Sequence, residues 1–214
     1  MDGLVLDTEP GYCLAWQQAA AELGQTLPAA FYESLTGLPG PIVEQRLCAM
    51  WQGDFDKQAF YQLSETFWRR HVHDVGIAVK PGFYELLEII GQNQIPYCLA
   101  TNSPAKNALE CLQLAGISDC FKIILSRDSV NQGKPAPDIF LAAAEALRVN
   151  IRDCLVLEDS YTGIIAASMA GAPSVYIPST LKPDPHAAAL CSQVVAALSE
   201  LVPLFQAINN TLTD

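Results

Sequence analysis

Short apolar runs alternate with segments of helical periodicity over the last two-thirds of the chain. The runs are continuously apolar, which is typical of strands covered by helices on both faces. Strands that alternate with helices of about ten residues need crossover connections, so the pattern predicts an α/β fold with a parallel sheet. The predicted elements are helix 83–91, strand 95–100, helix 104–115, strand 121–125, helix 137–148, strand 154–157, helix 162–170, strand 174–177, an apolar run at 194–195 and a helix near 199–208.

Residues 8–79 have a different pattern, because no strand-like run interrupts their helical periodicity. Apolar side chains recur at helical spacing around Trp16, Leu47 and Phe67, which predicts a small helical bundle. A helical module between the first loop and the remaining strands is typical of an inserted domain. The predicted organisation is a core domain of residues 1–8 and 80–214 with a helical cap of residues 9–79.

The composition limits the classes of partner. Half of the 214 residues are hydrophobic and 16% are charged, as in a folded globular chain. The net charge of −11 argues against nucleic acid and anionic membrane as partners. It does not exclude a small phosphorylated metabolite, because a bound divalent cation can invert the local field.

The cysteine pattern bears on the compartment. The seven cysteines are scattered singly, with no Cys-x-x-Cys pair, which favours free thiols in a reducing cytoplasm. We see no basic segment followed by an apolar stretch at the N-terminus, and no apolar run that approaches the ~20 residues of a membrane span. We therefore expect a cytoplasmic protein.

Candidate chemistry lies where the predicted strands end, since open parallel sheets bind ligands beyond the carboxyl ends of their strands. Thr101, Asn102 and Ser103 follow strand 95–100, with Pro104 at the start of a helix. A hydroxyl, an amide and free helix-terminal N–H groups would then face one spot and could bind an anion. Capping of the helix by Ser103 is the alternative.

A lysine in a stiff loop follows the next predicted strand. Lys134 lies between Gly133 and Pro135, ahead of Pro137, and this stiffness suggests that the position of its ammonium group matters. The ammonium could neutralise phosphate oxygens and a neighbouring carboxylate. A solvated lysine in a turn is the alternative.

Two adjacent acidic residues follow the third predicted strand. Glu158 and Asp159 would repel each other at the end of a buried strand unless they share a cation. Mg²⁺ favours carboxylates together with waters and phosphate oxygens, whereas an acidic cap on the following helix is the alternative. The opening loop adds a further carboxylate, Asp2, and a tight turn at Gly3.

The order of these features resembles the haloacid dehalogenase (HAD) superfamily, in the branch with a helical cap that contains the β-phosphoglucomutase-like sugar-phosphate phosphatases. The likeness runs nearly end to end. It implies a Rossmann-like parallel sheet core, the HAD fold, with an inserted α-helical bundle as cap. The resemblance rests on four spaced motifs: Asp2-Gly3, Thr101, Lys134 and Glu158-Asp159.

The resemblance implies a role for each matching residue. Asp2 would be the general acid and base, which protonates the leaving oxygen and then activates water. Thr101 and Asn102, with nearby backbone N–H groups, would bind the phosphoryl group. Lys134 would also bind it, and would offset charge on the nucleophile. These roles suit phosphoryl transfer, which depends on positioning and charge neutralisation.

The resemblance also implies a Mg²⁺ site at the two acidic positions. Asp159 would bind the metal, with Glu158 as a ligand or acting through a bound water, and Asp2 would contribute its backbone carbonyl. The implied activity is Mg²⁺-dependent hydrolysis of a small phosphorylated metabolite, such as a sugar phosphate, through an aspartyl-phosphate intermediate.

One group that the resemblance implies is not in the sequence. The family's nucleophile is an aspartate two residues before Asp2, on the central strand of the sheet, and in this numbering both would precede Met1. Asp2 cannot act as the nucleophile without vacating its own role. We hypothesise that the protein starts upstream, because a sheet without its middle strand leaves backbone groups unpaired.

Three other functions stay open. A phosphomutase must hold two phosphates, and the cap loop keeps the glycine Gly37 but has Gly40 where the mutases carry an arginine. The dehalogenases of the family do without the metal and without an aspartate at the position of Asp2. A catalytically dead remnant that only binds the metabolite is the third alternative, if the truncation is genuine.

Overall fold

The computed structural model describes residues 1–35, 38, 40–51, 55–179 and 183–206. The chain divides into two compact units. We name Met1–Asp7 with Ala78–Asp214 the core unit, and Thr8–Ile77 the helical unit. Gly37 of the predicted cap loop lies outside the described residues, as do the last two residues of the helix predicted near 199–208.

The helical unit packs around aromatic side chains. Phe60 is fully buried and packs edge to face against Trp16 and Trp51, with ring centroids 5.3 Å apart in both pairs, a geometry that stabilises beyond area burial. One helix starts at Asp56, whose carboxylate accepts the Ala59 N–H at 2.9 Å and so caps it. The helices are α1 Glu9–Glu22, α2 Ala29–Glu33, α3 Gly40–Met50 and α4 Lys57–Val75.

The core unit alternates helices and strands in the predicted order. Each predicted helix from 83 to 170 is present with ends that differ by no more than two residues. Four single turns of 3-10 helix connect elements, and residues 202–206 are helical. The elements are α5 Phe83–Gln92, β1 Leu99–Ala100, α6 Ala105–Leu114, β2 Ile124–Leu125, α7 Asp138–Leu147, β3 Val156–Glu158, α8 Tyr161–Ala170, β4 Ser174–Tyr176, α9 Pro185–Leu190 and β5 Gln193–Val194.

The strands form two parallel sheets. In one sheet β1 pairs with β2, with Leu99 opposite Ile124. In the other the order is β3-β4-β5, with Glu158 opposite Tyr176. Every pairing is parallel, as predicted, but β1 and β3 are not paired with each other. The described strands therefore form two sheets, with β1 and β3 each at the edge of one.

The first two strands are shorter than predicted. Residues 95–100 and 121–125 were expected to be strands, but only Leu99–Ala100 and Ile124–Leu125 are paired. A strand is defined by its partner, and β1 has a partner on one side only among the described residues. Residues 95–98 therefore approach β1 without a ladder of hydrogen bonds.

None of the described helices is both long and apolar enough to cross a membrane.

Candidate active site

The predicted site residues of the core unit form one connected network at the carboxyl ends of β1 and β3. Thr101 follows β1, Asp159 follows β3, and Lys134 reaches both strands from the loop ahead of α7. The loop that carries Asp2 contacts the residues after both strands. Carboxyl ends of neighbouring parallel strands meet at one edge, which is why sequence order could predict this gathering.

The Asp2 loop is tightly constrained. Gly3 has φ +75°, and a Cβ at this position would collide with the Asp159 carboxylate, so only glycine fits. One oxygen of Asp2, Oδ2, accepts the Ser103 hydroxyl at 2.9 Å. The other, Oδ1, is buried with no hydrogen-bond partner among the described residues. An unpaired buried carboxylate oxygen is costly without a ligand.

Ser103 does not cap α6, so that alternative is wrong. The helix begins at Ala105 with Pro104 as its N-cap and without a side-chain cap, and the Ala105 N–H donates to Asp128 at 2.7 Å. The Ser103 hydroxyl instead donates to Asp2. Its N–H donates to Thr101 Oγ1 at 3.1 Å, which orients the buried Thr101 hydroxyl.

Asn102 holds the lysine loop. Its Oδ1 accepts the Lys134 N–H at 2.8 Å, and its Nδ2 donates to the Lys134 carbonyl at 3.1 Å. The side chain thus pairs with both backbone groups of one residue, as a strand neighbour would. The amide that was expected to face an anion is therefore engaged with the backbone of Lys134.

Lys134 is not a solvated lysine. Its side chain is 7% exposed, and Nζ donates to the Ala100 carbonyl at 3.1 Å and to Glu158 Oε1. The ammonium also lies 4.8 Å from the centroid of the Phe140 ring, a cation–π contact. A buried cation needs such partners to remain charged, so the loop fixes a positive charge at the ends of β1 and β3.

Glu158 is held from several sides. Its Oε2 accepts the N–H groups of Asp159 and Ser160 and the Ser160 hydroxyl at 2.9–3.0 Å. A Cβ at Gly163 would collide with this carboxyl group. Burial alone would raise the pKa of Glu158, but the Lys134 ammonium, the amino terminus and these hydrogen bonds outweigh it and lower the pKa. The charged form of Glu158 is thus favoured despite its burial.

The residue that caps α8 is Ser160 rather than either acidic residue. Ser160 Oγ accepts the Gly163 N–H at 3.1 Å. Burial and the charge of Glu158 raise the pKa of Asp159, against the opposing effects of the amino terminus and a hydrogen bond from Ser179. The pKa values of the two adjacent carboxyl groups therefore shift in opposite directions, because Lys134 forms its ion pair with Glu158.

The described site offers carboxylate oxygens, which Mg²⁺ prefers, but it does not surround an ion with several protein ligands. No group of three or more His, Cys, Asp or Glu side chains suited to a metal occurs in the described part of the chain. The group that fits is the Asp159 carboxylate beside Gly3, whereas the unpaired Asp2 Oδ1 remains available for proton transfer. Mg²⁺ commonly takes one or two carboxylates and fills its other positions with water and phosphate.

Three positioning residues were not predicted from sequence. The sequence predicts Ser103 as a possible helix cap and no role for Ser160 or Ser179. All three nevertheless donate hydrogen bonds to carboxyl groups of the site. The position of Ser160, directly after the acidic pair, was an available signal. Ser179 carried no signal, because its approach depends on the path of the chain after β4.

Comparison with known proteins identifies the family. A family model described as haloacid dehalogenase-like hydrolase matches residues 1–171. A phosphorylated carbohydrates phosphatase from Thermotoga maritima is 30% identical over 180 residues, which cover 82% of this chain and 81% of the relative. A beta-phosphoglucomutase from Bacillus subtilis is 29% identical over 179 residues, which cover 80% of this chain and 77% of the relative.

A solved structure shares the fold. A HAD family hydrolase from Deinococcus radiodurans R1, determined with bound phosphate and sodium, has a TM-score of 0.79 at 27% identity and covers 97% of this chain and 93% of its own. This likeness confirms the predicted α/β fold class, and the family match confirms the predicted enzyme class. The chain belongs to the haloacid dehalogenase-like hydrolase family.

Proposed function

We propose that this protein is a Mg²⁺-dependent phosphatase that hydrolyses a small phosphorylated metabolite, such as a sugar phosphate, through an aspartyl-phosphate intermediate. The observation that carries the proposal is the buried Lys134 ammonium, fixed beside the residues that follow β1 and β3. A fixed cation, a buried hydroxyl and two further carboxyl groups are what phosphoryl transfer requires at one place. The relative that acts on phosphorylated carbohydrates supports this class of substrate.

In the proposed first step, a carboxylate attacks phosphorus and the ester oxygen leaves. The attacking group would be an aspartate two residues ahead of Asp2, a position outside this chain. The P–O bond of the ester breaks, and Asp2 gives its proton to the leaving alcohol. In the second step Asp2 takes a proton from water, which attacks phosphorus and releases phosphate and the carboxylate. The Ser103 hydroxyl holds the Asp2 carboxyl group in orientation for both transfers.

Thr101 and Lys134 would bind the phosphoryl oxygens. The Thr101 hydroxyl is buried at the end of β1, and the Lys134 ammonium lies near it on the same edge. Asn102 was predicted to bind phosphate, and we now propose that it acts by holding the Lys134 backbone. Its amide can therefore contribute to phosphate binding through the lysine.

The residues that would hold Mg²⁺ are Asp2, through its backbone carbonyl, and Asp159. Glu158 would act less directly, because both of its oxygens already accept hydrogen bonds. The ion supplies charge neutralisation to the phosphoryl oxygens when bound. The cytoplasmic location stays a prediction that rests on the cysteine pattern.

The decisive assay compares three forms of the protein with a panel of sugar phosphates and Mg²⁺. These are the 214-residue chain, the chain with Val-Ile-Val-Ile-Phe-Asp fused ahead of Met1, and the same fusion ending in Asn. We expect phosphate release from the Asp fusion at least about 10³-fold faster than from the other two, because they lack the nucleophile. Equal turnover by the 214-residue chain would overturn the proposed nucleophile, and no turnover by any form would overturn the phosphatase. Metabolite binding without turnover would favour the remnant.

A phosphomutase is the second candidate, favoured by the likeness to a beta-phosphoglucomutase. Gly40, at the start of α3, provides no side-chain cation for a second phosphate, which argues against it. Incubating the Asp fusion with β-glucose 1-phosphate and a bisphosphate primer separates the two activities. A mutase converts the substrate to glucose 6-phosphate, whereas a phosphatase releases inorganic phosphate.

A further inference from the structure

A single turn of 3-10 helix, Arg127–Ser129, lies just after β2 and contacts the segment that follows β1. The Arg127 N–H donates to the Ser103 carbonyl at 3.1 Å, and the Asp128 carboxylate accepts the Ala105 N–H at 2.7 Å. These two bonds join the turn to the loop after β1 and to the start of α6. The backbone of Arg127 is therefore fixed relative to the loop that follows β1.

The side chain of Arg127 binds the loop that carries Lys134. Its Nη1 donates to the Val130 carbonyl at 2.9 Å, and its Nη2 donates to the Asn131 carbonyl at 3.3 Å. A guanidinium presents its N–H donors as a rigid planar fork, so one side chain can hold two neighbouring carbonyls in a fixed geometry. Arg127 thus connects the loop after β1 with the loop ahead of α7.

The same side chain packs against the residue that precedes Lys134. A Cβ on Gly133 would lie 2.7 Å from Arg127 Cδ and 2.7 Å from Asn102 Oδ1, so a side chain at this position would collide with both. Asn102 also pairs with the N–H and the carbonyl of Lys134. The backbone at 133–134 is therefore held by contacts with two side chains, Arg127 and Asn102.

The position of the Lys134 ammonium depends on this backbone. A lysine side chain is a flexible stem that ends in a point charge. Its bonds to the Ala100 carbonyl and to Glu158 can form only when the stem starts from the right place. A loop of glycine, proline and polar residues has no apolar core of its own, so its place is set by the groups that bind its backbone.

We propose that Arg127 is a positioning residue for the Lys134 ammonium. Its guanidinium holds the Val130 and Asn131 carbonyls and its stem packs on Gly133, which fixes the start of the lysine side chain. Arg127 acts through the backbone of the loop and needs no contact with a substrate. The effect of Arg127 on turnover rests on the proposed function, whereas the position of Lys134 can be measured without turnover.

Acetylation of Lys134 by trace acetic anhydride tests the proposal without a substrate. A buried amine reacts only when its loop opens, so the rate reports how often the loop is open. In the 214-residue chain, Arg127→Met should raise the acetylation rate of Lys134 at least about tenfold, as measured by mass spectrometry. Arg152→Met, which changes an exposed arginine of the same unit, is the matched control and should leave the rate unchanged. An unchanged rate in Arg127→Met would overturn the proposal.

Cys111 distinguishes opening of the loop from general unfolding of the core unit. Its side chain is 1% exposed on α6, and a buried thiol is protected from alkylation while the fold is intact. Iodoacetamide should therefore modify Cys111 at the same rate in Arg127→Met and in the unchanged chain. Parallel increases in Lys134 acetylation and Cys111 alkylation would show general unfolding and would overturn the positioning role.

Free guanidinium gives a readout that a merely structural role would not produce. Arg127→Ala leaves room for the ion, and millimolar guanidinium chloride should restore at least about half of the lost protection of Lys134. Sodium chloride at the same concentration is the control and should restore none. Guanidinium weakens folded structures in general, so general destabilisation predicts the opposite sign. Acetylation that is equal or faster with guanidinium than with sodium chloride would contradict the proposal.

The Asp fusion measures the consequence for turnover. In that form, Arg127→Met should slow phosphate release at least about tenfold, whereas Arg152→Met should leave it unchanged. Full turnover in Arg127→Met would refute the catalytic role of this position. If the Asp fusion itself releases no phosphate, the phosphatase fails, and acetylation of Lys134 still decides whether Arg127 positions the lysine. The two failures are therefore distinguishable.

Discussion

The two units of this chain complete their backbone hydrogen bonding in different ways. In the helical unit each helix pairs its own backbone, and aromatic side chains around Phe60 fill the core. In the core unit each strand depends on a neighbour, and among the described strands β1 pairs only with β2 and β3 only with β4. The backbone hydrogen bonds of a helix can therefore be formed within one segment, whereas those of a strand require a neighbouring strand.

The largest expected effect comes from breaking the buried ion pair between Lys134 and Glu158. Lys134→Met should cost about 3–5 kcal/mol in the free energy of unfolding, because it leaves Glu158 buried and unpaired. Lys57→Met is the matched control in the helical unit, where the pair with Glu44 is exposed and its loss should cost under about 1 kcal/mol. Urea unfolding measures both, and similar losses would contradict the role of burial.

A second comparison concerns the cost of truncating a buried leucine and a partly exposed one. Leu47 is fully buried in the helical unit, whereas Leu155, directly ahead of β3, is 45% exposed. Leu47→Ala should cost about 3 kcal/mol, and Leu155→Ala under about 1 kcal/mol. Denaturant midpoints of the two variants give the difference.

The sequence predicted the helices and the order of the strands, but not the exact ends of the strands. Helix α5, for example, follows from its apolar periodicity alone. Helix α2 was missed because its five residues are too few to show a helical periodicity. Strand 95–100 was predicted too long, because apolar composition indicates that a segment can be a strand and not whether it has a partner.

The site was predicted from residue order, and its positioning contacts were not. Thr101, Lys134 and Glu158 follow strand ends, which sequence can identify. The partner of the Ser103 hydroxyl is Asp2, 101 residues away in the chain, and the partner of Asn102 is a backbone 32 residues away. The position of Ser103 beside a helix end predicts a cap. The sequence gives no sign that a carboxylate far along the chain is its partner instead.

A smaller effect is expected at the glycine beneath Glu158. Gly163→Ala should cost about 1–3 kcal/mol, because the added methyl group collides with the Glu158 carboxyl group. Gly91→Ala is the control within the same unit, since a Cβ there meets no atom within 4 Å, and it should stabilise α5 by up to about 1 kcal/mol. Thermal unfolding of both variants should therefore give shifts of opposite sign, and shifts of the same sign would refute the collision.

The smallest effect concerns magnesium and pH. Burial and the Glu158 charge raise the pKa of Asp159 to about 7, so Asp159 is neutral below that pH and anionic above it. Mg²⁺ must displace this proton below pH 7, so binding strengthens as pH rises. An ion at ten times its dissociation constant adds about 1.4 kcal/mol.

The measurement is the Tm of the chain with and without MgCl₂ at pH 6 and pH 8. The shift should be larger at pH 8 and absent in Asp159→Asn at both values. Sodium chloride at matched ionic strength is the control for screening. A larger shift at pH 6 would show that Asp159 does not hold the ion.

The parted sheet also has a consequence for the behaviour of the chain at high concentration. A strand edge whose backbone groups are unpaired can pair with a strand of another polypeptide. At high concentration that polypeptide is most often a second copy of the same chain. The net charge of −11 opposes such self-association, and salt weakens that repulsion. Solubility of the 214-residue form should therefore fall as ionic strength rises, because electrostatic repulsion protects the edges between β1 and β3.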